Sequence, residues 1–325
     1  MPRIVSPMAI AVGIGAGLAS SLLVLSPAGG STLAVPLTIV TPLPLIIGAL
    51  GWGTYAAGAG VLAGILLLLA AAPGLVVYFA CFIALPALIG SHLIGLARPD
   101  LAQPESQGIR RQPARQWFPL GHVLIAVSAA VVIGSAIVAI AGGFDPTTIS
   151  PERTHTITNA YIDSMGGDQA SVPRAELVAT VEPIITVLLR FLPFIFVATW
   201  TLIFALNFAL GYWISLKSGN LIRPGEDLAA IDIPRPVAFV AVLAIGLATM
   251  GGHVGAIAGA IGGASVGLLL LAGLCVIHTL ARRLSFRLPL LVLIYLFLTI
   301  LSLPISILGA LEPYIRLRKR TLPPR

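Results

Sequence analysis

Charge is scarce in this chain. Only 10% of its 325 residues are Asp, Glu, Lys or Arg, while 58% are hydrophobic and the mean hydropathy is +1.02. Soluble domains carry about 25% charged and about 45–50% apolar residues, so too little polar surface exists here to cover a water-borne particle. A soluble enzyme is excluded, and so is intrinsic disorder. Cysteine is nearly absent: Cys81 and Cys275 stand alone in apolar runs, which excludes a disulfide framework or a Cys-based metal site. The sequence has no H-E-x-x-H, no Walker loop, no G-x-S-x-G and no paired carboxylates within an apolar span. It also lacks the buried acids of a proton relay and the arginine ladder of a voltage sensor. We therefore expect no enzyme and no cofactor. Lys and Arg outnumber Asp and Glu by 19 to 12. No basic cluster is interleaved with aromatics, so nucleic acid is not an expected partner, and the excess reads as a topology signal.

What the chain has is long apolar runs. About 20 apolar residues cross a bilayer as a helix, and the spacing predicts spans near residues 7–25, 33–50, 53–72, 75–96, 120–141, 191–216, 236–250, 256–280 and 288–308. The fold class expected is all-α, a polytopic transmembrane bundle of about eight or nine spans with the lipid bilayer as its solvent. The basic start followed by an apolar run resembles a signal peptide, but a second apolar run follows at once and we read the first as a retained helix. Pro36, Pro42 and Pro44 remove helix donors from the second run, which should be kinked or re-entrant.

A single integral domain is expected: four spans in 1–97, a basic loop at 98–118, two spans in 119–216 enclosing an acidic segment at 143–182, a basic loop at 217–235, the last spans in 236–311, and a basic tail at 312–325. The acidic segment holds Asp145, Glu152, Asp163, Asp168, Glu176 and Glu182 against Arg153 and Arg174. Its second half has helical periodicity, with Ser171 as cap and Pro173 early, and should form an amphipathic extracytoplasmic helix running into the sixth span. Counting Lys and Arg puts the 98–117 and 217–235 loops and Arg282, Arg283 and Arg287 in the cytoplasm, with the N-terminus. Nine crossings would place Arg316, Arg318, Lys319 and Arg320 outside, against that rule. Either the last run is not a simple crossing or an earlier one is incomplete; a cytoplasmic tail is our expectation.

Gly251, Gly255, Gly259, Gly263 and Gly267 recur every four residues, which sets them on one helix face. Such a face permits close backbone approach, either within the chain or to a partner membrane subunit. Ala11, Gly15 and Ala19 repeat the pattern in the first span, beside Gly13 and Gly17. Ionisable or amide groups at membrane depth are site candidates. Glu182 and Arg190 fall two turns apart on roughly one face, and Asn207 lies deep in the sixth span. These three are the expected ligand-binding residues, at the outer ends of spans five and six. His92, His122, His253 and His278 are expected at the interfaces, as are the aromatic-belt residues Trp52, Tyr55, Tyr78, Trp200 and Tyr212.

Three segments carry a family resemblance. Ala272-Gly273-Leu274-Cys275-Val276-Ile277-His278 resembles the ending of a late helix in the YybS-like family. Leu308-Gly309-Ala310-Leu311-Glu312-Pro313-Tyr314, continuing to Arg316, Arg318 and Arg320, resembles its closing pattern, with Glu312 and Tyr314 where the family has Asp and an aromatic. The loop from Gly219-Asn220-Leu221-Ile222-Arg223-Pro224 to Ile233-Pro234 is similar to its basic cytoplasmic loop. That family comprises bacterial inner-membrane proteins distantly similar to S-components of energy-coupling-factor transporters and to the rod-shape protein MreD. The resemblance implies small-solute binding or transport with partner subunits, through a pocket open to the outer face, or alternatively an MreD-like scaffold of envelope machinery. It further implies that Ala11, Gly15 and Ala19 correspond to the face on which an S-component docks its coupling subunit.

Overall fold

The computed structural model describes residues 6–26, 34–99, 115–141, 151–166 and 172–321. Asp145, Asp168 and Ser171, all named above, lie outside the described residues. The rest is an all-helical bundle: α1 (Pro7–Leu25), α2 (Ala34–Ile39), α3 (Leu43–Trp52), α4 (Thr54–Ala71), α5 (Val76–Phe79), α6 (Leu85–Ile94), α7 (Leu120–Ala141), α8 (Pro151–Ser164), α9 (Arg174–Lys217), α10 (Pro236–Ala248), α11 (Gly252–Ala281), α12 (Arg287–Leu296), α13 (Leu298–Ile315) and α14 (Leu317–Thr321). Among the described residues seven helices are long and apolar enough to cross a membrane.

The proline-rich run breaks as its sequence dictates, into α2 and α3. Between α5 and α6 the chain takes a π-helical turn at Ala80–Ala84, just ahead of Pro86, which has no N–H to continue the regular ladder. The ends of the 98–117 loop pair as a short antiparallel ribbon, Ala97–Pro99 with Arg115–Trp117. The acidic segment holds one helix more than its periodicity suggests. In α8, Thr154, Thr158 and Ile162 form a buried row against α9, and a row of threonines carries little hydropathy signal. As expected, α9 runs unbroken from the amphipathic stretch into the sixth span.

Helix packing follows the small residues. α1 and α4 run parallel, with Gly13 on Ala56 and Gly17 on Gly60; a Cβ at Gly17 would sit 2.6 Å from the Gly60 Cα. The contact row on α1 is therefore Gly13 and Gly17. Ala11 and Gly15 face outward instead, and nothing lies within 4 Å of a Cβ built on Gly15. An i, i+4 row is readable from sequence, but which of two adjacent rows meets a neighbour depends on tertiary packing.

The glycine row of α11 also divides. Gly251 stands before the helix, at φ +71 in the turn from α10, where a side chain would be strained. Gly255 faces Ala248 of α10, while Gly259, Gly263 and Gly267 face α9 between Pro193 and Thr201. The chain's own helices occupy that face, so it is not open to a partner. α11 is the hub of the bundle, packing on α7, α9, α10 and α13.

One end of the bundle gathers the basic segments. Ile222 N–H donates to the Leu50 carbonyl (3.2 Å), Arg223 to Phe118 (3.0 Å) and Arg282 to Asp227 (2.6 and 2.7 Å), and Arg318 reaches residues 229–232. α12 thus departs from this end just after Arg282, and α13 delivers Arg318 back to it. Between them Tyr295 meets His278 at 2.9 Å, and Gly309 meets Leu269, about three turns inside the end of α11. The last apolar run is broken at Phe297 into α12 and the 18-residue α13, and because Arg282 before it and Arg318 after it both bind residues 227–232, the run starts and ends at the same end of the bundle.

Candidate functional site

Glu182, Arg190 and Asn207 do not form one site. All three lie on α9, where 25 residues of helix place Asn207 roughly 37 Å from Glu182. Glu182 is held near His155 of α8, its Oε2 3.4 Å from Nδ1. Arg190 is exposed and donates to the Thr249 carbonyl at the end of α10 (3.3 Å), one of the acceptors a helix terminus leaves open. Asn207 is wholly buried. Its Nδ2 donates to Ile39 (2.7 Å) and to Ile203 (2.8 Å), while Oδ1 has no partner. Leu43 N–H bonds Val40 instead of Ile39, so the break between α2 and α3 frees the Ile39 carbonyl, and Asn207 satisfies it. Helix spacing reveals who shares a face, but not that one helix outruns the thickness of a binding pocket.

The aromatic-belt reading fails for three residues. Trp200 and Tyr78 join Phe82, Phe196 and Phe204 in an aromatic cluster within the core, and Trp200 is only 4% exposed. Tyr212 is buried and holds a loop: its hydroxyl accepts from Glu226 N–H (2.6 Å) and donates to the Pro224 carbonyl (3.3 Å).

That loop, residues 218–235, is the most elaborately fastened part of the chain. Arg223 is buried against Phe118 and the Trp117 ring and pairs with Glu226. Arg282, at the end of α11, grips Asp227 with two nitrogens, the fork geometry that guanidinium and carboxylate share. The Asp227 hydrogen bonds raise the Arg282 pKa further, so that side of the clasp keeps its charge. Arg318, from α14, donates to the carbonyls of Ala229 (3.0 Å) and Ile231 (2.7 Å) and pairs with Asp232 (2.8 Å) and Glu312 (3.1 Å). Glu312 also accepts from the N–H groups of Leu317 and Arg318 (both 3.0 Å), in the turn where Arg316 takes a left-handed φ of 54.

Beneath the fastened loop is a cavity of about 130 Å³. Leu228, Ile231 and Ile233 roof it; α6, α7, α9 and α11 wall it, with Ala209 and Cys275 among the lining. The sequence presents these arginines only as topology markers. Four acids in the same basic segments, Glu226, Asp227, Asp232 and Glu312, were the available sign that the charges pair. Among the described residues no cluster of three or more His, Cys, Asp or Glu is placed to hold a metal ion. Comparison of the chain with protein-family models, with curated proteins and with solved structures gives no match.

Proposed function

We propose that this chain is a multi-pass subunit of a bacterial inner membrane, non-enzymatic, which binds or transports a small solute together with partner subunits, as its YybS-like segments imply. The observation that carries the membrane reading is where apolar side chains lie. Leu66, Phe239, Val242 and Ile300 are 66–74% exposed, whereas the arginines of the 218–235 loop, the α11 end and the tail collect at one end. Water disfavours so broad an apolar surface and lipid does not.

Eight crossings follow from this reading: α1, α2–α3, α4, α5–α6, α7, α9, α10 and α11. An even number puts both termini on one side, and the positive-inside rule makes that side cytoplasmic. An α12–α13 run that returns to the end it left then reconciles the basic tail with the rule. Partner docking is supported by α1: its Gly13–Gly17 row is consumed by α4, while Ala11 and Gly15 stay open to the bilayer. A photocrosslinker at Ala11, in native membranes, should capture a membrane subunit, and Gly15→Leu should abolish the adduct without lowering the melting temperature. An adduct unaffected by Gly15→Leu overturns the docking face.

A scaffold role is the second reading, favoured by the separation of Glu182, Arg190 and Asn207. A thermal-shift screen against vitamins and metals separates the two: a stabilising solute supports transport, and none, with the Ala11 adduct intact, supports the scaffold.

A further inference from the structure

The cavity beneath residues 218–235 has chemistry of its own. Its walls offer almost nothing to a polar guest. Cys275 Sγ lies 3.7 Å from the Leu228 carbonyl, and both hydrogen bonds of the Tyr212 hydroxyl are spent on the loop. A polar solute would lose its water partners and gain none. Water itself needs two to four partners to occupy such a space, and an apolar cavity of about 150 Å³ stays dry and takes benzene. At about 130 Å³ this space is slightly smaller. The pocket is only partly enclosed, and a hydrocarbon that enters it gains contacts with the atoms that line it.

The roof is also the one wall that no α-helix supplies. Leu228 and Ile231 are half-buried, and their segment is held by side chains from elsewhere, Arg282 on Asp227 and Arg318 on Ala229, Ile231 and Asp232. A loop fastened by a few charged contacts can lift without unwinding the bundle, which the helical walls cannot do.

We propose that this cavity binds one small hydrocarbon group, about the size of a phenyl ring, admitted beneath the 227–233 stretch. The group comes either from a free lipophile or from a lipid acyl chain. The proposal stands apart from the solute reading, which concerns a pocket open to the opposite end.

Cys275 lines the cavity and serves as reporter in a full-length Cys81→Ala chain held in lipid nanodiscs. The rate of its alkylation by N-ethylmaleimide is measured with and without benzene, in that chain and with Ala209→Leu added to fill the space. Benzene at about four times its dissociation constant should slow alkylation about fivefold, and should have no effect in the filled variant, which equally controls for benzene dissolved in the bilayer. That result assigns the site to a free lipophile. If one phospholipid is retained by the parent, lost on Ala209→Leu, and must be stripped before benzene protects, the site belongs to an acyl chain. Should Cys275 resist the reagent, the melting temperature replaces it: benzene must raise that of the parent and not that of the filled variant. Equal responses of the two chains to benzene, in whichever readout applies, with no retained lipid, overturn the proposal.

Discussion

The Arg318–Glu312 pair offers the sharpest test of how the basic end is held together. Both residues are buried, at 6% and 4% exposure, so the pair is little screened by solvent. Glu312→Leu strips an acceptor from two backbone N–H groups and from Arg318 Nε, and takes from the guanidinium its buried carboxylate partner. Arg318→Met leaves the Glu312 carboxylate buried without its cation and frees the Ala229 and Ile231 carbonyls. Removing one member of a buried ion pair costs about 3–5 kcal/mol, because the other charge stays behind uncompensated. Removing both should cost less than the sum, with a coupling of about 2 kcal/mol. Reversible unfolding in mixed micelles gives the four free energies of the cycle. Cys275 alkylation should accelerate in both single variants, since the roof loses its fastening. If the two substitutions add within about 0.5 kcal/mol, they act independently, and the account of the clasp is wrong.

Gly17→Ala should destabilise by about 1–3 kcal/mol through overpacking against Gly60, whereas Gly15→Ala should be neutral or stabilising by up to about 1 kcal/mol through helix propensity; equal melting shifts would refute the assigned contact row. Asn207→Leu orphans the Ile39 carbonyl and should cost about 1–3 kcal/mol, with faster amide exchange concentrated around residues 39–43. Tyr212→Phe deletes two hydrogen bonds to residues 224–226 and should cost about 1–2 kcal/mol, with faster Cys275 alkylation. Reporters fused at either terminus should give the same sidedness, and opposite results would refute the even number of crossings.

The apolar runs made the helices legible, because a run long enough to span lipid admits few other structures. The prolines at 36, 42 and 44 foretold the break between α2 and α3 for the same local reason: a missing N–H is a property of the sequence alone. α8 was overlooked because its buried row is made of Thr154 and Thr158, whose hydroxyls mask its amphipathicity. The candidate site was the least legible part. Glu182, Arg190 and Asn207 each do local work on a different neighbour, a backbone carbonyl in two cases and His155 in the other, and those neighbours, on α8, at the end of α10 and on α2, lie far from them in sequence. The loop fastening depends on pairs separated by 55 and 86 positions, Arg282 with Asp227 and Arg318 with Asp232, and such long-range partners have no periodic signature.

That last separation has a biosynthetic consequence. Asp232 leaves the ribosome long before Arg318 is made, and on the proposed topology the intervening α12–α13 run starts and finishes on the side where synthesis occurs. With eight crossings ending at Ala281, as proposed, the bundle can be fully threaded while its lid still waits for its last fastener. A nascent chain stalled between these points would therefore expose an unlatched cavity, which makes α14 the closing step of assembly and a chain shortened before Glu312 the variant in which that step never happens.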